Sequence, residues 1–89
     1  MHDYGRKLRA IRSAEGLTQQ SFSDLTGFGI STVKNYESGQ KQAGLSVIQR
    51  VLEIETFQKY TLWLMLNKTT EAAGQISPAL SHSGPEKTD

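Results

Sequence analysis

The residues able to do covalent chemistry are few and poorly arranged. The chain has no Cys and only two His. His2 stands at the terminus and His82 in a polar C-terminal stretch, so neither shares a scaffold with a nucleophile or a carboxylate pair. Gly27 and Gly29, followed by Ile30, do not make a phosphate-cradling nucleotide loop. Lack of Cys removes disulfides and thiolate zinc sites. No enzyme, metal centre or cofactor is expected. Hydrogen-bonding chemistry is better supplied. Ile30, Ser31, Lys34 and Asn35 follow Gly29 at spacings that put them on a helix face away from Val33 and Tyr36. Apart from Ile30 that face is polar, with a hydroxyl, an ammonium and an amide able to pair with a partner's polar edge.

Several helices must position that face. Tyr4, Leu8 and Ile11 make one apolar stripe from Asp3 to Glu15, with Asp3 as N-cap and Gly16 as terminator. Thr18 caps a second, short helix carrying Phe22 and Leu25, which Gly27 ends. The third spans Ile30 to Glu37, with Val33 and Tyr36 inward and Gly39 closing it. Gly27 suits a positive φ, Phe28 can tuck under the turn, and Gly29 is an N-cap without a capping side chain. A fourth helix begins near Leu45, with Leu45, Ile48, Val51 and Leu52 on one face. A fifth runs from Phe57 to Leu66 and is apolar nearly all round. No β alternation and no internal repeat is present, so the class is all-α. Residues 1–66 read as one domain. From Asn67 the chain turns to Ser, Thr, Gly and Pro, so residues 67–89 read as a flexible tail whose large apolar residues are Ile76 and Leu80.

Eighty-nine residues suffice for one small domain. No apolar run approaches the roughly 20 residues that span a bilayer, and the N-terminus lacks a signal-like apolar region. A cytoplasmic protein is expected, with no membrane partner. The net charge of +1 does not point to nucleic acid. Its distribution is uneven, however. Residues 1–50 hold seven Lys and Arg against four Asp and Glu, whereas residues 51–89 hold three against five.

The run from Leu17 to Gly39 carries a more specific signal. Its Leu-Thr-Gln opening, the Gly at the turn and the Val-x-x-Tyr-Glu-x-Gly close keep one ungapped register. Residues 4–66 resemble the Cro/CI-type helix-turn-helix family, the lambda repressor-like DNA-binding domain of small phage and bacterial repressors. They lack the Pro often found near Ala43 and the Gly often found at Thr56. The resemblance implies a compact five-helix bundle with the helix-turn-helix at helices two and three. It also implies a sequence-specific regulator of double-stranded DNA.

The implied mechanism puts the helix Ile30–Glu37 in the major groove. Ile30, Ser31, Lys34 and Asn35 then face the bases. Asn35 suits adenine, Lys34 guanine or a phosphate, and Ile30 a thymine methyl. The bland alternative for Lys34 and Asn35 is solvated helix surface. By the same register Gln19 contacts a phosphate and braces the recognition helix. Ser38, Gln40, Lys41 and Gln42 form a loop along the DNA backbone. Arg12 and Glu37 match a structural ion pair. Arg6, Lys7 and Arg9 either extend the electrostatic footprint or are solvated, solvation being expected for at least two.

Leu62, Trp63, Met65 and Leu66 follow one another too closely to enter one small core together. Either the tail covers the excess through Ile76 or Leu80, or these residues form a two-fold interface. A homodimer is expected, since paired recognition helices read a palindromic operator. Two other functions share the fold. One is the antitoxin of a toxin–antitoxin pair, with the tail folding on a protein partner. The other is a protein-interaction module that has lost DNA binding.

Overall fold

A computed structural model describes residues 3–78. Five α-helices follow one another: α1 (Tyr4–Ala14), α2 (Gln19–Thr26), α3 (Ile30–Ser38), α4 (Leu45–Leu52) and α5 (Thr61–Leu66). Short 3₁₀ turns occupy Glu55–Tyr60 and Glu71–Ala73. The extended pairing found among the described residues is an isolated bridge between Thr70 and Gln75. No helix there is long and apolar enough to cross a membrane.

Local chemistry accounts for the first three helices. The Asp3 side chain accepts the Arg6 N–H and starts α1. Thr18 and Ser21 form a reciprocal capping box that satisfies two otherwise orphaned donors of α2. Gly27 ends α2 at φ +82°, where any side chain would strain the backbone. Gly29 begins α3 without a side-chain cap.

The core takes Leu8 and Ile11 from α1, Phe22 from α2, Val33 and Tyr36 from α3, and Ile48 and Val51 from α4. Phe57, Tyr60 and Leu64 complete it. The Phe22 and Phe57 rings pack 5.5 Å apart, tying the second helix to the turn before the fifth. Phe28 meets Tyr36 edge-on at 6.0 Å beneath the helix-turn-helix corner. Each such buried apolar side chain contributes about 1.5–3 kcal/mol.

Three expectations need correction. Leu25 is 46% exposed, and Thr26 takes the buried place on α2. Thr26 lies one turn beyond Phe22, and its hydroxyl donates to the Phe22 carbonyl at 2.8 Å, so it enters the core satisfied. Leu45 lies at the solvated start of α4 and is 62% exposed. The fifth helix does not run unbroken from Phe57. A 3₁₀ turn stacks residues three apart, which sends both Phe57 and Tyr60 inward before α5 begins at Thr61.

Residues 67–78 also differ from a loose tail. Asn67 ends α5 in the left-handed conformation, and the chain folds back. The Gln75 side chain accepts the Leu62 N–H and donates to the Gln58 carbonyl, closing an orphaned donor at the start of α5. Ile76 donates its N–H to the Lys59 carbonyl at 2.8 Å and packs against the core. Leu80 lies outside the described residues.

One close approach sets the angle between α1 and α3. Gly5 is buried inside α1, and a Cβ there would collide with the Tyr36 carbonyl oxygen. The obstacle is backbone, so no side chain can yield. Gly→Ala inside an unpacked helix stabilises by up to about 1 kcal/mol. Gly5→Ala is instead expected to destabilise by about 1–3 kcal/mol in urea unfolding. A gain in stability would show that α1 stands clear of α3.

Candidate nucleic-acid interface

The outer face of α3 is largely open to solvent. Ser31 and Lys34 are exposed, while Ile30 and Asn35 are half-buried at its margins. Val33 and Tyr36 occupy the opposite, buried side. The Asn35 carbonyl accepts the Lys41 N–H at 3.0 Å, which draws the following loop back against the end of α3. The Ser38 hydroxyl donates to that same carbonyl and accepts the Gln40 N–H, so it closes the helix end. Gln40, Lys41 and Gln42 are exposed, and buried Ala43 anchors the loop. The Lys41 ammonium stands 6.0 Å from the Tyr36 ring centre.

Arg12 and Glu37 meet in a two-bond fork. Arg12 Nε donates to Glu37 Oε2 at 2.8 Å and Nη2 to Oε1 at 3.0 Å. The side chains are only 15% and 5% exposed. Arg12 Nη1 also donates to the Leu17 carbonyl, closing the corner between α1 and α2. Gln19 Nε2 adds a third donor to the Glu37 carboxylate at 3.1 Å. Its amide nitrogen therefore braces α3. The anion-binding capacity at this point lies in the backbone: the N–H groups of Gln19 and Gln20 have no partner among the described residues.

Three positioning residues escaped the reading of the sequence. Arg50, on α4, donates from Nε to the Thr26 carbonyl at 3.0 Å. A Cβ on Gly27 would come 2.9 Å from the Arg50 Nη2, so the glycine gives the guanidinium room as well as adopting a positive φ. Lys7 donates from Nζ to the Trp63 and Leu64 carbonyls at 2.9 and 3.2 Å, and lies 5.0 Å over the Trp63 ring. Burial pulls its pKa below the ordinary lysine value. Lys7 thus adds a cationic donor from α1 to carbonyls in the last turn of α5. Gly5 is the third, and its signal was a lone glycine within a helical pattern. For Arg50 and Lys7 no local signal existed, because their partners lie 24 and 56 residues away. Arg6 is exposed and pairs with Asp3, and Arg9 is exposed without an ion-pair partner among the described residues.

The hydrophobic residues of α5 divide. Leu64 is buried, Trp63 is half-buried against the core, Leu62 is half-buried, and Leu66 is 57% exposed. Met65 joins Leu45, Ile48, Gln49 and Leu52 around an apolar groove of about 340 Å³ between α4 and α5.

The Glu37 cluster makes a measurable demand on stability. Arg12→Leu strands a buried carboxylate with one amide donor and is expected to cost about 3 kcal/mol. Glu37→Gln keeps an acceptor for Arg12 and costs less. Replacing both by Leu recovers part of the loss. Urea unfolding of the wild type, Arg12→Leu, Glu37→Leu and the double-Leu protein gives the coupling, and additive single losses would show that the pair does not hold α1 to α3.

Comparison with known proteins agrees with this architecture. Residues 3–54 match the helix-turn-helix domain family. The chain is 40% identical over 82 residues to Repressor protein C of Escherichia phage P2, covering 92% of this chain and 83% of that protein. It is 29% identical over 51 residues to the uncharacterized HTH-type transcriptional regulator YazB of Bacillus subtilis (strain 168), covering 57% of this chain and 74% of that protein. With the α2–turn–α3 unit capped and braced as described, this chain belongs to the helix-turn-helix family of phage and bacterial repressor-type regulators.

Proposed function

We propose that this chain is a transcriptional repressor in the cytoplasm that reads double-stranded DNA through the major groove with α3, as a homodimer on a palindromic operator. The observation that carries the reading is the exposed polar side of α3, held in one orientation by the Arg12–Glu37–Gln19 cluster. A helix so fixed can meet base edges without losing much entropy on binding. Asn35 offers the amide that pairs with adenine, Ser31 a hydroxyl that donates or accepts, and Ile30 an apolar surface for a thymine methyl. The Gln19 and Gln20 N–H groups and the loop of Ser38, Gln40, Lys41 and Gln42 run along the phosphates. The likeness to Repressor protein C of phage P2 supports repression as the outcome of binding.

Dimerisation follows from the modest charge surplus of the DNA-facing half. One subunit with few cations binds weakly, and two subunits on adjacent half-sites combine their contacts. Leu66, with Met65 and the apolar groove leading to Leu45, supplies the self-complementary surface. Leu62 and Trp63 border it from the half-buried side of α5.

Selection from random duplexes tests the reading. The expected product is a pair of inverted half-sites centred about one helical turn apart. Asn35→Ala should remove the preference at one position per half-site, worth about 1–3 kcal/mol of discrimination. Direct repeats would overturn the palindrome. Failure to enrich any sequence, with a second protein co-purifying from the native host, would favour an antitoxin or interaction module. Sedimentation at tens of micromolar checks the dimer: Leu66→Lys should yield the monomer mass, and a wild-type monomer would refute it.

A further inference from the structure

We propose that the cleft between the start of α1, the end of α3 and the loop that follows binds a small zwitterion, an α-amino acid with an apolar side chain. Its occupancy weakens DNA binding by withdrawing Lys41 from the phosphates. That effect rests on the reading of the loop as the segment along the DNA backbone, whereas the binding rests on the cleft alone.

The cleft measures about 490 Å³, a size suited to a small ligand. Asp3, Tyr4 and Gly5 line it from the start of α1, Tyr36 from α3, and Lys41 and Ala43 from the loop. Tyr36 is 8% exposed, and its hydroxyl has no hydrogen-bond partner among the described residues. A buried phenol ordinarily finds such a partner. Here it belongs to the wall of a cleft, where a polar atom from outside can supply it. Asp3 and Lys41 bring opposite charges to the same cleft without pairing. Asp3 meets Arg6 at 3.6 Å in an exposed contact, which compensates its charge weakly. Lys41 has no carboxylate partner among the described residues, and its ammonium stands 6.0 Å from the Tyr36 ring centre.

These groups select a molecule that carries both charges. A phosphodiester suits Lys41 and the Tyr36 hydroxyl but is repelled by the Asp3 carboxylate. A simple cation suits Asp3 and is repelled by Lys41. In an α-amino acid the carboxylate accepts from the Lys41 ammonium and the Tyr36 hydroxyl, while the ammonium donates to Asp3. The rest of the molecule lies against Tyr4 and Tyr36, whose aromatic surface favours an apolar side chain.

The test titrates the full chain, free of DNA, with L-leucine and L-phenylalanine and follows amide shifts. Saturable shifts are expected at Gly5, Tyr36, Lys41 and Ala43. Leucinamide lacks the carboxylate and N-acetyl-leucine lacks the ammonium, and each should bind roughly tenfold or more weakly. Tyr36→Phe, Lys41→Gln and Asp3→Asn should each weaken binding of L-leucine. Asn keeps the α1 cap, and Tyr36→Phe should not lower the melting temperature, because its hydroxyl holds nothing in the fold. Absence of saturable shifts with both amino acids would overturn the proposal. So would N-acetyl-leucine binding as tightly as L-leucine, or Tyr36→Phe binding L-leucine as wild type does. On the selected duplex, saturating L-leucine should lower affinity about fivefold or more. It should also make the slope of log affinity against log salt shallower by about one per bound subunit. An unchanged DNA affinity with the cleft filled would overturn the regulatory effect and leave the proposed function standing. A wild-type protein that binds no duplex would overturn the proposed function and the regulatory effect together, while the amide titration still decides the site.

Discussion

The Glu37 carboxylate is the constraint around which the helix-turn-helix half is organised. It is 5% exposed, and an unpaired carboxylate at that depth costs several kcal/mol. Its donors come from two other elements, Arg12 on α1 and Gln19 at the start of α2. Arg12 supplies the countercharge and Gln19 a neutral donor, so the carboxylate has all three of these hydrogen bonds only when the three elements converge. Arg12 adds a bond to the Leu17 carbonyl, so the same guanidinium also sets the corner between α1 and α2. Small rotations of α3 break a forked, charge-assisted pair, which is why its outer face has one orientation.

From that pair the constraint spreads along α1 in both directions. Toward its N-terminus, Gly5 lets α1 touch the backbone of α3 at Tyr36. On another side, Lys7 reaches carbonyls in the last turn of α5. Helix α1 is therefore a strut between α3 and the helix that carries the exposed Leu66. Arg50 provides a second strut, from α4 to the carbonyl that ends α2. Further round, Tyr60 donates its hydroxyl to Glu15, and Lys59 pairs with the same carboxylate at 2.9 Å. The polar contacts thus tie consecutive apolar layers into one arrangement.

Much of the helix-turn-helix half was legible because its signals are local. The Asp3 and Thr18 caps, the positive φ at Gly27, and the inward pair Val33 and Tyr36 all depend on residues within a turn or two. The outward face of α3 follows from the same periodicity. Where competing residues stood side by side, periodicity did not decide. Thr26 displaced Leu25 because a helix can satisfy its hydroxyl internally. Phe57 and Tyr60 are compatible with either helical pitch, and the depth of the core selected the tighter one.

The sequence by itself determined an all-α chain, the helix-turn-helix register from Leu17 to Gly39, and the polar face of α3. Those are properties of nearest neighbours and of helical repeat. Only the tertiary structure decided that Lys7 and Arg50 donate to carbonyls of distant helices. It alone set Gly5 against Tyr36 and brought residues 67–78 back to the start of α5. Each of these joins groups far apart in the chain, and their energies come from geometry that appears once the helices have packed. The few residues suited to chemistry divide on the same line. Ser31 and Lys34 are presented outward by local structure, whereas Gln19 was drawn inward by a carboxylate 18 residues away.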